Sequence, residues 1–71
     1  MTAKEILLEI VCTNEPLSAG ALTSRVINHP KWHEKTRRGT YWTVKDALES
    51  LVDDGVLRMT EVNMTKKYYA D

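Results

Sequence analysis

The chain contains a single cysteine, Cys12, and one thiol cannot close an internal disulfide. Packing alone must hold the fold, and a reducing, cytoplasmic compartment is the expectation. No apolar run approaches the ~20 residues that a membrane-crossing helix needs. The longest, Ile6-Leu7-Leu8 and Ile10-Val11-Cys12, is interrupted by Glu9. The chain does not open on a basic segment followed by an apolar one, so no signal peptide and no membrane partner are expected. Internal repeats and low-complexity segments are absent from the sequence. So are the catalytic signatures. Ser18, Ser24 and Ser50 have no glycine elbow around them, and no Gly-rich phosphate loop is present. No enzyme activity and no cofactor are therefore expected.

What remains is 71 residues, 42% apolar and 28% charged, the composition of one small globular domain spanning residues 1–71. Such a domain buries only about 60% of its unfolded surface, which leaves a thin core and little space for a deep pocket. Ten cationic and ten acidic residues give a net charge of zero, but they are unevenly spread. Residues 25–45 hold Arg25, Lys31, Lys35, Arg37, Arg38 and Lys45 against Glu34 alone, a net of +5. Residues 46–61 hold Arg58 against Asp46, Glu49, Asp53, Asp54 and Glu61, a net of −4. A clustered positive stretch points to an anionic partner better than the total does.

Periodicity supplies the elements. Thr2-Ala3-Lys4-Glu5 reads as a capping box, and Ile6, Leu7, Ile10 and Val11 form one apolar stripe behind it. The first helix is expected over about 3–13, ended by Asn14-Glu15-Pro16. Ser18 is a good N-cap for a second helix carrying Ala21, Leu22, Val26 and Ile27, stopped at Asn28-His29-Pro30. Leu17, in the link, should pack inward as an extended residue. Residues 29–39 are polar and basic, without clean periodicity. In the third helix Val44, Ala47, Leu48, Leu51 and Val52 recur at helical spacing. Thr43 through Asp46 offers it a capping box, with Thr40 as a cap one turn earlier. Gly55 suits the left-handed position after its last turn. Two strands, Val56 to Val62 and Lys66 to Ala70, flank a turn containing Asn63. The expected fold is α+β: three helices followed by a two-stranded β-hairpin.

The segment Thr43-Val44-Lys45-Asp46-Ala47-Leu48-Glu49-Ser50-Leu51-Val52-Asp53-Asp54-Gly55-Val56-Leu57 resembles the recognition helix and first wing strand of winged-helix regulators of the MarR, PadR and ferric-uptake types. Pro16-Leu17-Ser18-Ala19-Gly20-Ala21-Leu22 is similar to their approach to the second helix. One departure is the longer link between the second and third helices. The resemblance implies a small winged helix whose third helix enters the DNA major groove while the hairpin wing reaches backbone or minor groove. Its implied partner is double-stranded DNA, and its implied role is transcription regulation. Specific regulation from so small a module favours a homodimer, with the first helix as the spare face.

On that expectation Arg37, Arg38, Thr40, Thr43 and Lys45 make the helix contact, Lys31 and Lys35 help from the loop, and Lys66 and Lys67 serve the wing. Cations neutralise phosphates and release counterions, and hydroxyls or helix-terminal N–H groups donate to phosphate. Trp42 is read as surface or partner-facing, Tyr41 as core continuing the Val44 stripe, and Cys12 as a small buried hydrophobe. Asp46, Glu49 and Asp53 on the exposed side of the third helix would repel phosphates, so only its first turn, to about Lys45, can approach a duplex. His29 and His33, four apart, lack the three or four ligands a zinc site wants. The rival reading is a winged-helix protein-interaction module, anchored by Trp32, Trp42 and the arginines. A phage- or plasmid-encoded adaptor or inhibitor would have this character.

Overall fold

The computed structural model describes residues 2–11 and 15–70. Thr2 opens α1 (Ala3–Ile10) with the expected capping box. Its hydroxyl oxygen accepts from the Glu5 N–H at 3.3 Å, and the Glu5 carboxylate accepts from the Thr2 N–H at 3.0 Å. The helix ends earlier than its stripe suggests. Val11 donates its N–H to Leu7 O and then turns extended, three residues short of the expected limit near residue 13. Cys12, expected as a buried hydrophobe, lies outside the described residues, as does Asn14.

The next element corrects the expected architecture. Leu17–Ser18 forms a short strand, β1, ahead of α2 (Ala19–Ile27). The long helix α3 (Arg37–Asp53) follows, then β2 (Leu57–Val62) and β3 (Thr65–Ala70). β1 pairs antiparallel with β3, Leu17 opposite Tyr68 and Ser18 opposite Lys67. The hairpin is therefore part of a three-stranded antiparallel sheet in the order β1-β3-β2, rather than a free two-stranded ribbon. Two residues carry no alternation for a sequence reading to detect. Their strand character comes from the partner, whose open edge needs hydrogen bonds. Ser18 leaves the strand by capping α2, its hydroxyl accepting from the Ala21 N–H at 3.2 Å.

The long link between α2 and α3 is anchored from inside. Trp32 is buried in the core, and its indole N–H donates to the Thr40 hydroxyl at 3.0 Å. That hydroxyl in turn donates to Thr36 O at 2.8 Å. α3 starts well before Thr40 or Thr43, at an N-cap formed by Thr36. Thr43, expected to cap, lies inside the helix and donates its hydroxyl to Gly39 O. At the far end Gly55, with φ of 77°, closes a Schellman motif: Val56 N–H bonds Leu51 O and Gly55 N–H bonds Val52 O.

Ile6, Leu7, Leu22, Val26, Val44, Leu48 and Leu57 form the centre of the core. Alternation along the hairpin puts Leu57, Met59 and Glu61 on the face of Tyr68 and Lys66, toward the helices. Arg58, Thr60 and Val62 share the opposite face with Tyr69, Lys67 and Thr65. Tyr68 is the inward tyrosine, and burial, then the Glu49 and Tyr41 charges, push its phenol above the usual value. No helix among the described residues is long and apolar enough to cross a membrane.

Candidate nucleic-acid interface

α3 turns its buried side, Thr40, Val44, Ala47, Leu48 and Leu51, into the core. At 100° per residue the opposite side carries Arg38, Trp42, Glu49 and Asp53, with Lys45 and Asp46 flanking them. Charge is ordered along that outer face. The first two turns are cationic and aromatic; the last two are acidic.

Such ordering opposes the helix dipole, which favours acidic groups at the N-terminus and basic ones at the C-terminus. α3 has no acidic residue in its first turn and no basic residue in its last. The helix dipole does not account for Arg37 and Arg38 standing where they do. Compensation comes from the preceding loop. The Glu34 carboxylate accepts from the Thr36 N–H at 3.0 Å and the Thr36 hydroxyl at 3.1 Å. These bonds, the backbone one first, hold its carboxyl below the ordinary range. Gly39 leaves it room, since a Cβ there would come within 2.9 Å of the Thr36 hydroxyl and 3.2 Å of the Glu34 carboxylate. With Glu34 at the head of α3, an anion must be held by side chains rather than by the helix-terminal N–H groups.

The two arginines differ. Arg37 reaches back to α2, donating to Ser24 Oγ at 2.7 Å and Gly20 O at 3.1 Å. It clamps one helix to the next. Arg38 projects outward, one turn before Trp42, which is 56% exposed. The Lys45 ammonium lies 5.6 Å from the Trp42 ring centroid and 5.7 Å from that of Tyr41, within cation–π range of both. The two rings meet edge to face, centroids 5.7 Å apart. Stacking restrains a lysine that would otherwise sample many rotamers.

Lys45 also borders a groove of about 510 Å³ between the head of α2, α3 and the hairpin, with Tyr41, Met64, Thr65, Lys66 and Tyr68 among its walls. Lys45 and Lys66 thus share one groove, and Trp42 joins it through Lys45; Lys66 also borders a second pocket with Glu49 and Asp53. Glu61, directly across the β-ladder from Lys66, offsets part of that lysine's charge.

The remaining candidates are placed differently. Thr40 is fully buried, its hydroxyl spent on Trp32 and Thr36, so it does not reach the surface as a phosphate donor. Thr43 is exposed but lies about 100° around the helix from Trp42. Lys67 sits on the sheet face opposite Lys66. Lys31 and Lys35 are exposed on the link, and the Lys31 N–H donates to His29 Nδ1 at 3.1 Å. This leaves the His29 proton on Nε2, 3.3 Å from the Glu9 carboxylate. His33 stacks its ring near Trp32 instead, and no group of three or more potential ligands for a metal occurs among the described residues.

Two groove residues escape the sequence reading. Tyr41, expected in the core, is half-buried and lines the groove, because it stands 60° around the helix from the core stripe at Val44. Met64 stands at the hairpin tip. Its signal was a methionine after Asn63, where a tight turn favours glycine. No family of proteins, no curated protein and no solved structure matches this chain.

Proposed function

We propose that this chain is a small winged-helix DNA-binding protein acting as a transcriptional regulator. The first two turns of α3 lie in the major groove of a duplex, and the β2–β3 hairpin rests on the adjacent backbone or minor groove. One observation carries this reading. Lys45 and Lys66 line one groove framed by helix and hairpin, and Lys45 stacks on the exposed Trp42, one turn beyond Arg38, while Glu49 and Asp53 border Lys66 from the later turns of α3. A major groove about 12 Å wide admits a helix end presenting such residues. β1 supports the reading mechanically, since its pairing with β3 ties the hairpin to the helical body and fixes the gap that a duplex strand would enter.

Arg38, Lys45 and Lys66 contact phosphates in this arrangement, and Trp42 packs on sugar or base edges. Arg37 serves as a brace that sets the angle of α3. A homodimer through α1, whose Leu8 is half exposed, would supply the two-fold arrangement that specific regulation by a small module favours.

Fluorescence anisotropy with a labelled duplex of mixed sequence tests the reading. Binding should be evident at low salt and weaken steeply with added salt, log K falling by about 0.9 per phosphate neutralised for each unit of log salt. Absence of binding even at low salt would favour the second reading, a protein-interaction module, for which the exposed Trp42 beside Arg38 is the hot-spot candidate.

A further inference from the structure

We propose that Met64 is an apolar wedge, which the hairpin tip inserts at a base step of the DNA minor groove to unstack that step and bend the duplex. The inference rests on the DNA-binding reading above and adds a deformation to it.

Asn63 and Met64 alone connect β2 to β3, with φ of 51° and 66°. Both central residues at positive φ is the requirement of a type I′ turn, for which Asn-Gly is the favoured pair. Asn63 suits its position. Met64 does not, because a Cβ makes the left-handed region unfavourable for a long side chain. The thioether gains nothing within the monomer in return, for Met64 is 93% exposed. A lone exposed apolar residue is ordinary on a protein surface. One that also takes an unfavourable backbone conformation, at a position where glycine would relieve both penalties, calls for a contact outside the chain.

The surroundings select the contact. Met64 borders the groove that Lys45 and Lys66 line, and Thr65 and Lys66 follow it directly. A phosphodiester strand held in that groove brings the tip against the floor of the neighbouring groove. Minor-groove proteins insert Met and similar apolar side chains between base steps, and use Asn to read the acceptors there. Asn63 and Met64 supply those two functions side by side. The flexible thioether adapts to the irregular opening of an unstacked step.

The test compares the wild-type chain with Met64→Gly. Glycine is at home at this φ, so the variant should unfold at the same temperature or higher. Duplexes carry 2-aminopurine at successive positions and a donor–acceptor pair at their ends. Wild type should brighten 2-aminopurine at one or two adjacent steps and shorten the end-to-end distance. Met64→Gly should bind about 10-fold more weakly with an unchanged salt slope, and give neither signal. If Met64→Gly binds and bends like wild type, or wild type binds without brightening any position, the wedge is wrong and the DNA reading stands. Failure of wild type to bind any duplex at low salt overturns both.

Discussion

Thr40 and Arg37 are polar residues from the basic middle of the chain that the fold uses for itself. The Thr40 hydroxyl accepts the buried Trp32 indole N–H. Thr40→Val would leave that donor unsatisfied, which costs about 1–3 kcal/mol. In a domain this size each kcal/mol lowers the melting temperature by roughly 4–8 °C, so thermal unfolding should show a clear drop, with Thr40→Ser the milder change. Arg37 and Arg38 are sequence neighbours with opposite expected phenotypes. Arg37→Ala removes the bonds to Ser24 and Gly20 and should cost about 1 kcal/mol in urea unfolding. Arg38→Ala should stay within about 0.5 kcal/mol of wild type in stability and lose duplex affinity. Equal stability losses from the two substitutions would contradict the assignment of Arg37 as brace and Arg38 as contact.

Helix ends are where the elements of this fold were easiest and hardest to read. Thr2 with Glu5, Ser18, and Gly55 stand at the termini expected of them, because each satisfies backbone groups within three residues of itself. The head of α3 was missed by more than a turn from Thr43. Its cap depends on Glu34 folding over Thr36 from outside the helix, and its stabilising contact joins Trp32 to Thr40, a pairing that no periodicity marks. β1 was missed for the related reason that its pairing is supplied by β3, 49 to 51 residues later in the chain. At the site, the basic cluster was legible but its orientation was not: Lys66 and Lys67 separate by strand alternation, and Arg37 turns away from its neighbour.

The capping carboxylates also set a pH dependence. Glu5 and Glu34 are held below the ordinary glutamate value of 4.5 by bonds from Thr2 and Thr36 respectively. A depressed folded-state pKa means the stabilisation is fully present above pH 4.5 and is lost as pH falls through the lower folded value. Urea unfolding below pH 4.5 should show this loss in wild type, and a smaller one in Glu5→Gln or Glu34→Gln. The outer face of α3 predicts a gain. Glu49→Gln removes a carboxylate one turn beyond Lys45 and should tighten duplex binding severalfold, more at low salt than at high salt.

Across the whole molecule, a chain of zero net charge presents a strongly polar distribution, cationic around the head of α3 and acidic toward its end. Its extents are 29 × 22 × 20 Å, so one face on a duplex takes up a large share of its surface. That face is defined by a helix braced through Arg37 and a hairpin tied down by β1, so helix and hairpin should meet a ligand as one rigid unit. Amide chemical-shift mapping during titration with a short duplex tests this claim most directly. The account predicts that the largest changes fall on Arg38 to Lys45, the Trp42 indole N–H and Asn63 to Lys66, and that they diminish together as salt is added. Changes confined to α1 or to the acidic stretch from Glu49 to Asp54, with Arg38 and Lys66 unmoved, would contradict it.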